Sequence, residues 1–196
     1  MAERQTRTRS ALAEAVLELA AETPIDDITV TALAQRAGIT RETFYKHTPG
    51  IVDLLADSLA GELADIAEAN NALPATLPTG DSVFRRPTEQ LVGHLVHRAR
   101  VYRNAMNPRL HARIRELLTE YISLGLLTHL DAHPEIAPPI GGVRPDAFGR
   151  VALAAYAAAG TVGVLEEWLA RTDTVEPAQL TEVILAAAPE WWQGRR

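Results

Sequence analysis

Residues 29 to 48 read TVTALAQRAGITRETFYKHT, and this stretch predicts two short helices joined by a tight turn. Thr29 is a good N-cap, because its hydroxyl can accept a hydrogen bond from a free amide of the first helical turn. Apolar residues then recur at helical spacing, and Gly38 follows them where a left-handed residue commonly ends a helix. Thr40 is a second N-cap, and it begins a helix in which Phe44 faces inward. Helix, turn and helix in this order are the layout of a helix-turn-helix motif.

Nine positions in this stretch carry a resemblance to a known family. They are Thr29, Ala34, Ala37, Gly38, Thr40, Thr43, Phe44, Tyr45 and His47. In order, spacing and N-terminal placement they are similar to the motif of the TetR-type transcriptional regulators. The resemblance implies an all-α fold of about nine helices. It divides the chain into a three-helix DNA-binding domain over residues 1–50 and a helical ligand-binding and dimerisation domain over residues 51–196.

Two positions depart from the family pattern. The family usually has an aromatic residue where Thr48 stands, and a lysine near the start of the next helix where Ile51 stands. The first change removes an apolar anchor from the small domain, and the second removes a phosphate contact. A second interpretation therefore stays open, in which the chain is an all-α small-molecule-binding or structural homodimer whose DNA binding is weakened or lost.

The resemblance places the second short helix in the major groove of a double-stranded DNA operator. Arg41 could donate two hydrogen bonds to a guanine, and Thr43 could contact a base edge or a thymine methyl. Tyr45, Lys46 and His47 are expected to bind phosphates, which fixes the register of the protein without specifying sequence. Hydroxyls at helix starts also favour phosphate, and those candidates are Thr29, Thr31 and Thr40.

The distribution of charge matters more here than its sum. The chain of 196 residues carries a formal net charge of −6, with 47% hydrophobic and 22% charged residues, as in soluble globular proteins. Basic residues nevertheless crowd the first nine positions and the second helix pair, so a basic face is compatible with an acidic total. Residues 1–8 are expected to form a flexible arm ahead of a helix from about Arg9 to Ala21. Arg36 belongs to the second cluster, where a base contact and a surface salt bridge are both open. Lys46 is the only lysine in the chain.

The sequence contains no recognisable set of catalytic residues. It has no cysteine, no GxSxG, no Gly-rich phosphate loop and no HExxH. His94 with His97, and His129 with His133, have the helical spacing that metal ligands need, but solvated or hydrogen-bonded histidines are the favoured interpretation. We therefore expect no enzyme activity, no cofactor and no metal. The absence of a signal peptide and of a ~20-residue uncharged apolar run predicts a cytoplasmic protein that spans no membrane.

The region after about residue 56 is expected to bind a small-molecule effector and to form a homodimer. Turn-rich segments at 70–87 and 133–145 separate its predicted helices, and one of these helices is expected over about 88–103. A helix from about 145 to 170 has an uncharged middle, VALAAYAAAGTVGVL, whose small residues let helices approach closely. With the last helix it is expected to form a four-helix dimer interface. Candidate pocket residues are Tyr102, Met106, Tyr121, Tyr156 and Trp168, with core packing as the alternative for each.

The resemblance also implies a mode of action. The dimer would bind a palindromic operator and act as a repressor, and it would release the operator when a small molecule binds the C-terminal domain. The effector can change the separation of the two DNA-binding heads only through unequal affinity for two conformations.

Overall fold

The computed structural model describes residues 2–71, 84–132, 134–171 and 176–188, and the regular structure in these ranges is helical. The α-helices within them are α1 (Ala2–Glu22), α2 (Val30–Arg36), α3 (Arg41–His47), α4 (Ile51–Asn71), α5 (Arg85–His97), α6 (Ala99–Asn104), α7 (Ala112–Ala132), α8 (Ala147–Ala170) and α9 (Pro177–Ala187). Two 3-10 turns lie at Ile25–Asp27 and Pro134–Ile136. The described part of the chain holds no β-sheet, and the all-α prediction is confirmed. The interior of the predicted loop at 70–87 and the end of the chain lie outside the described residues.

The chain forms two compact units. Unit 1 comprises Met1–Glu62 together with Arg98–Arg115, and unit 2 comprises Leu63–His97 together with Glu116–Arg196. Both units are therefore built from two separate segments of the chain. The long helices α4 and α7 each contribute residues to both units.

Unit 1 is built around α1, which packs against α2 and α6. Leu12, Val16 and Leu33 are fully buried in its core. The sequence predicted a flexible arm over residues 1–8 and a helix from Arg9, and this was wrong, because α1 already begins at Ala2. Six of the eight residues from 2 to 9 are alanine, glutamate, glutamine or arginine, all good helix formers, so nothing interrupts the helix before Thr23.

A break at Arg98 separates α5 from α6, where the sequence predicted one helix over about 88–103. The backbone of Arg98 leaves helical geometry with φ −101° and ψ 17°. Its guanidinium donates to both carboxylate oxygens of Glu62 on α4, with Nε at 3.0 Å from Oε2. The amide of Asn104 donates to the carbonyl of Ala20 at 2.9 Å and joins α6 to α1. The break therefore coincides with tertiary contacts on α4 and α1, and no proline or glycine lies at it.

Unit 2 places α9 against α5 and α8. An ion pair between Arg85 and Glu182 links α5 to α9. One side of α8 is buried in the core, with Ala154, Ala158 and Val162 fully inaccessible. The other side is exposed and apolar, and we call it the α8 stripe. Its members are Phe148, Val151, Ala152, Ala155, Tyr156, Ala159 and Gly160. By length and composition alone, α8 is also apolar enough to cross a membrane.

Candidate nucleic-acid interface

Two threonine caps and one glycine shape the helix pair α2–α3. The Thr29 hydroxyl accepts from the amide of Ala32 at 3.1 Å, and the Thr40 hydroxyl accepts from the amide of Thr43 at 3.1 Å. Between them Gly38 adopts φ +66°, a left-handed conformation that is unfavourable for residues with a Cβ. The two predicted N-caps and the predicted helix end at Gly38 are confirmed.

Phe44 sets the orientation of α3. Its ring is fully buried, and at 100° per residue the positions opposite to it are Glu42 and Lys46. The side chain of Glu42 is 80% exposed and that of Lys46 is 67% exposed. We call the outward side of α3 the recognition face. It consists of Glu42 and Lys46 at its centre, Arg41 and Tyr45 on one flank, and Thr43 and His47 on the other.

The centre of the recognition face is an ion pair. The Lys46 Nζ lies 2.7 Å from Glu42 Oε1, one helical turn away. The ammonium holds the pKa of the Glu42 carboxyl below its ordinary value, chiefly through the hydrogen bond, so the acid stays charged. Water screens an exposed pair of this kind, so it contributes little to stability and either partner can leave it at little cost. Glu42 is not among the DNA-binding residues predicted from the sequence, although its spacing from Phe44 and Lys46 places it at the centre of this face.

The other cations near this face differ in their partners. Arg36 donates to Glu18 at 3.0 Å and to Glu22 at 3.4 Å on α1, and these hydrogen bonds raise the pKa of its guanidinium. In this structure Arg36 therefore forms the surface salt bridge, one of the two alternatives. Arg41 is exposed and, within the described residues, has no acidic side chain at ion-pair distance. Of these cations, Arg41 is the one whose charge is available without breaking a bond.

The hydroxyl candidates all lie in or next to the motif. Thr29 and Thr40 accept from backbone amides, and an accepting hydroxyl still has its own proton to donate to a phosphate oxygen. The hydroxyls of Thr40 and Thr43 lie 2.9 Å apart, so one of them donates to the other. Thr31 is exposed on α2, and His47 is half-buried in the last turn of α3.

Thr48 stands where the family usually has an aromatic residue, and hydrogen bonds hold it there. The residue is buried, its amide donates to the carbonyl of Phe44 at 3.1 Å, and its hydroxyl donates to the carbonyl of Gly50 at 2.9 Å. These bonds close the turn into α4, which begins at the half-buried Ile51. The apolar anchor expected from the family pattern is thus replaced by a local polar network.

The five pocket candidates are divided between the two units. Tyr102 is fully buried in unit 1, where burial raises the pKa of its phenol. Met106 lies in the same unit and lines a cleft of about 270 Å³ with Ile25 and Leu110. In unit 2, Tyr121 is half-buried, with its pKa raised by burial, and Trp168 is buried. Tyr156 is 77% exposed and is a member of the α8 stripe, so it lines no enclosed pocket within the described part of its own chain.

The histidines do not form a metal centre in the described residues, where no group of three or more histidine or acidic side chains has suitable placement. His94 is buried on α5 whereas His97 is exposed, so this pair shares no open face. His133, from the second pair, lies outside the described residues.

Similarity to known proteins is visible only at the level of structure. No protein-family model and no curated protein matches the chain. The Thermus thermophilus FadR, a TetR-family transcriptional repressor solved with lauroyl-CoA, superposes with a TM-score of 0.67 at 21% identity, covering 91% of each chain. A TetR-family transcriptional regulator from Streptomyces coelicolor gives 0.62 at 17% identity, covering 90% of this chain and 77% of the other.

A third solved structure is similar to this chain in the same way. The transcriptional regulator FadR from Bacillus subtilis, solved with stearoyl-CoA, gives a TM-score of 0.59 at 16% identity, covering 93% of this chain and 98% of the other. At such identities the likeness establishes the fold.

Proposed function

We propose that this chain, which has the fold of the TetR-family transcriptional regulators, is a ligand-responsive DNA-binding regulator that binds a palindromic operator as a homodimer. The observation that carries the proposal is the recognition face. Thr29 and Thr40 cap α2 and α3, and the buried Phe44 fixes the orientation of α3. Glu42 and Lys46 then lie opposite Phe44, with Arg41, Thr43, Tyr45 and His47 on the flanks of α3. Residues 1–50 would supply the DNA-binding domain, residues 51–196 the effector and dimer functions, and the protein would act in the cytoplasm.

In this function the recognition face enters the major groove. Arg41 donates two hydrogen bonds to a guanine, and Thr43 contacts a base edge or a thymine methyl. Tyr45, Lys46 and His47 bind phosphates from the same helix, and the hydroxyls of Thr29, Thr31 and Thr40 donate to neighbouring phosphates. Arg36 reaches DNA only by leaving its two glutamates, so we assign it a minor role.

The α8 stripe supports the homodimer. An apolar surface of this length is seldom left open on a soluble monomer, and its alanines and glycine allow another helix to approach closely. A membrane-spanning role fits less well, because the opposite side of α8 is part of the core of unit 2 and includes the buried Glu166. A second copy with its own α8 stripe is the matching partner, and a two-fold axis then presents two recognition faces about 34–36 Å apart.

We further propose that a small-molecule effector binds within residues 51–196 and makes the protein release its operator, as a repressor. Two of the structural relatives were solved with acyl-CoA ligands, which supports a ligand-responsive role for this fold. Tyr121 and Trp168 are the buried or half-buried aromatic candidates of unit 2. Tyr102, Met106 and the exposed Tyr156 complete the candidate set.

The test is selection of bound DNA from a random pool, followed by a gel shift at several salt concentrations. We expect an enriched palindrome whose half-site centres are about one helical turn apart, and binding that weakens as salt increases. A protein that retains no DNA even at low salt would contradict the proposal.

One observation favours a second candidate, an all-α homodimer with weakened or lost DNA binding. Arg36 and Lys46 are both paired with glutamates in the free protein, and the net charge is −6. A dimer that binds a small molecule but retains no DNA in the selection would establish this alternative.

A further inference from the structure

We propose that Glu42 is a specificity-determining residue that requires a cytosine at one position of each operator half-site. This inference rests on the proposed function and adds a base that the operator must contain. It concerns the residue at the centre of the recognition face, which the family resemblance did not mark.

The position of Glu42 follows from the burial of α3. With Phe44 fixed in the core, the outward direction falls between Glu42 and Lys46, and Arg41 lies to one side. Glu42 is in the first turn of α3, and its side chain is 80% exposed. Residues near the start of a recognition helix are the ones that reach base edges. Any DNA duplex that binds the recognition face must therefore accommodate the Glu42 carboxylate, which lies at the centre of that face.

Base chemistry then restricts what the carboxylate can meet. An ionised carboxylate only accepts hydrogen bonds. In the major groove guanine presents two acceptors and thymine one acceptor and a methyl, so neither can satisfy Glu42. Adenine offers an amino donor beside the N7 acceptor, which repels the second carboxylate oxygen. Cytosine offers an amino donor with no acceptor beside it on the same base, and it is the base that a glutamate prefers.

Lys46 makes this contact compatible with DNA. A lone carboxylate in the groove would be repelled by the phosphates, but the Lys46 ammonium at 2.7 Å balances its charge. The 2.7 Å hydrogen bond occupies Oε1, so Oε2 stays available to accept from a base. The same ion pair would stabilise α3 in any protein, and that ordinary role predicts no effect on base preference.

The experiment compares the wild-type chain with Glu42→Gln by selecting bound DNA from a random pool. We expect the wild type to enrich cytosine at one symmetric pair of positions. Glutamine prefers adenine through N6 and N7, so Glu42→Gln should enrich adenine there, with the cytosine-to-adenine binding ratio falling roughly 5- to 100-fold. Arg41 is unchanged in this variant, and its guanine position should persist.

Two matched variants test whether a change in base preference is due to the loss of the Glu42 carboxylate. Glu14→Gln makes the same chemical change at an exposed position of α1 and should leave the selected sequence unchanged. Lys46→Gln removes the balancing charge but keeps Glu42. Repulsion from the phosphates should then lower the affinity for all sequences, while cytosine stays the preferred base because it still donates to the carboxylate. Helix content and Tm monitor folding, and the loss of one exposed ion pair should shift Tm by about 2 °C or less.

The possible outcomes separate this inference from the proposed function. Identical selected sequences for the wild type and Glu42→Gln overturn the role of Glu42 and leave DNA binding intact. A loss of cytosine in Lys46→Gln but not in Glu42→Gln overturns it as well. If neither the wild type nor any variant retains DNA, the proposed function itself fails.

Discussion

The outward sides of α3 and α8 are opposite kinds of surface. The recognition face on α3 is polar, and its central charges already neutralise each other across 2.7 Å. The α8 stripe is apolar, and Phe148 and Tyr156 are 79% and 77% exposed. Water satisfies the polar groups of the first surface and not the apolar second surface. In the proposed function, the second copy would therefore gain mainly hydrophobic free energy at α8, and DNA would be selected mainly at α3.

The largest effect is expected from Ala159→Arg on the α8 stripe. A long charged side chain in a close helix interface is left without a partner, which should weaken the dimer by about 3 kcal/mol or more. Operator binding should fall with it, because a monomer contacts one half-site. Sedimentation velocity at micromolar concentration gives the readout.

The position of this substitution is critical. Ala158 is fully buried in its own chain, so Ala158→Arg would disrupt the core instead of testing an interface. Ala64→Arg, at an exposed alanine of α4 with acidic neighbours, is the control and should leave the dimer intact. A wild-type protein that sediments as a monomer would remove the role assigned to the α8 stripe.

A smaller effect is expected from Arg41→Ala. It should cost roughly 1–3 kcal/mol of operator binding and relax sequence preference at one position of each half-site. Arg36→Ala is the paired variant, and its cost should be lower because Arg36 is held by Glu18 and Glu22. Equal losses in both variants would show that the ion pairs do not decide which arginine contacts DNA. Operator binding by Arg41→Ala at wild-type strength would remove α3 as the recognition helix.

Tyr45→Phe should have a still smaller and uniform effect. The Tyr45 ring packs edge-on against Phe44 with centroids 5.2 Å apart, so the ring stays in place and only the hydroxyl is lost. We expect a loss of about 0.5–1.5 kcal/mol on operator and random DNA alike. A loss confined to the operator would instead assign Tyr45 to base recognition.

The smallest effect is expected at Lys46, which already has Glu42 as a counterion. Lys46→Gln should lower the slope of log affinity against log salt by about one unit or less per half-site, without changing the preferred sequence. Because Lys46 is the only lysine, acetylation can modify only this side chain and the N-terminus. Bound operator should protect Lys46 from acetylation. Equal modification rates with and without DNA would place Lys46 outside the interface.

The sequence was most informative where structure is local. The caps at Thr29 and Thr40 and the turn at Gly38 depend on residues three or four positions apart, and they were predicted correctly. The break at Arg98 was not predictable, because Glu62, which pairs with Arg98, is 36 positions away. The pairing of Arg36 with Glu18 and Glu22 likewise depends on how α1 meets α2. The contacts with DNA assigned to α3 remain predictions.

The two-segment construction of unit 1 has a consequence for exchanging parts between regulators. A graft of residues 1–50 alone would omit Glu62, Arg98 and Asn104, and so would lose the ion pair at the α5–α6 break and the bond to Ala20. A chimera that keeps this unit whole must transplant residues 1–62 together with 98–115. Unit 1 is therefore an interrupted module, and a single recombination junction cannot transfer it complete.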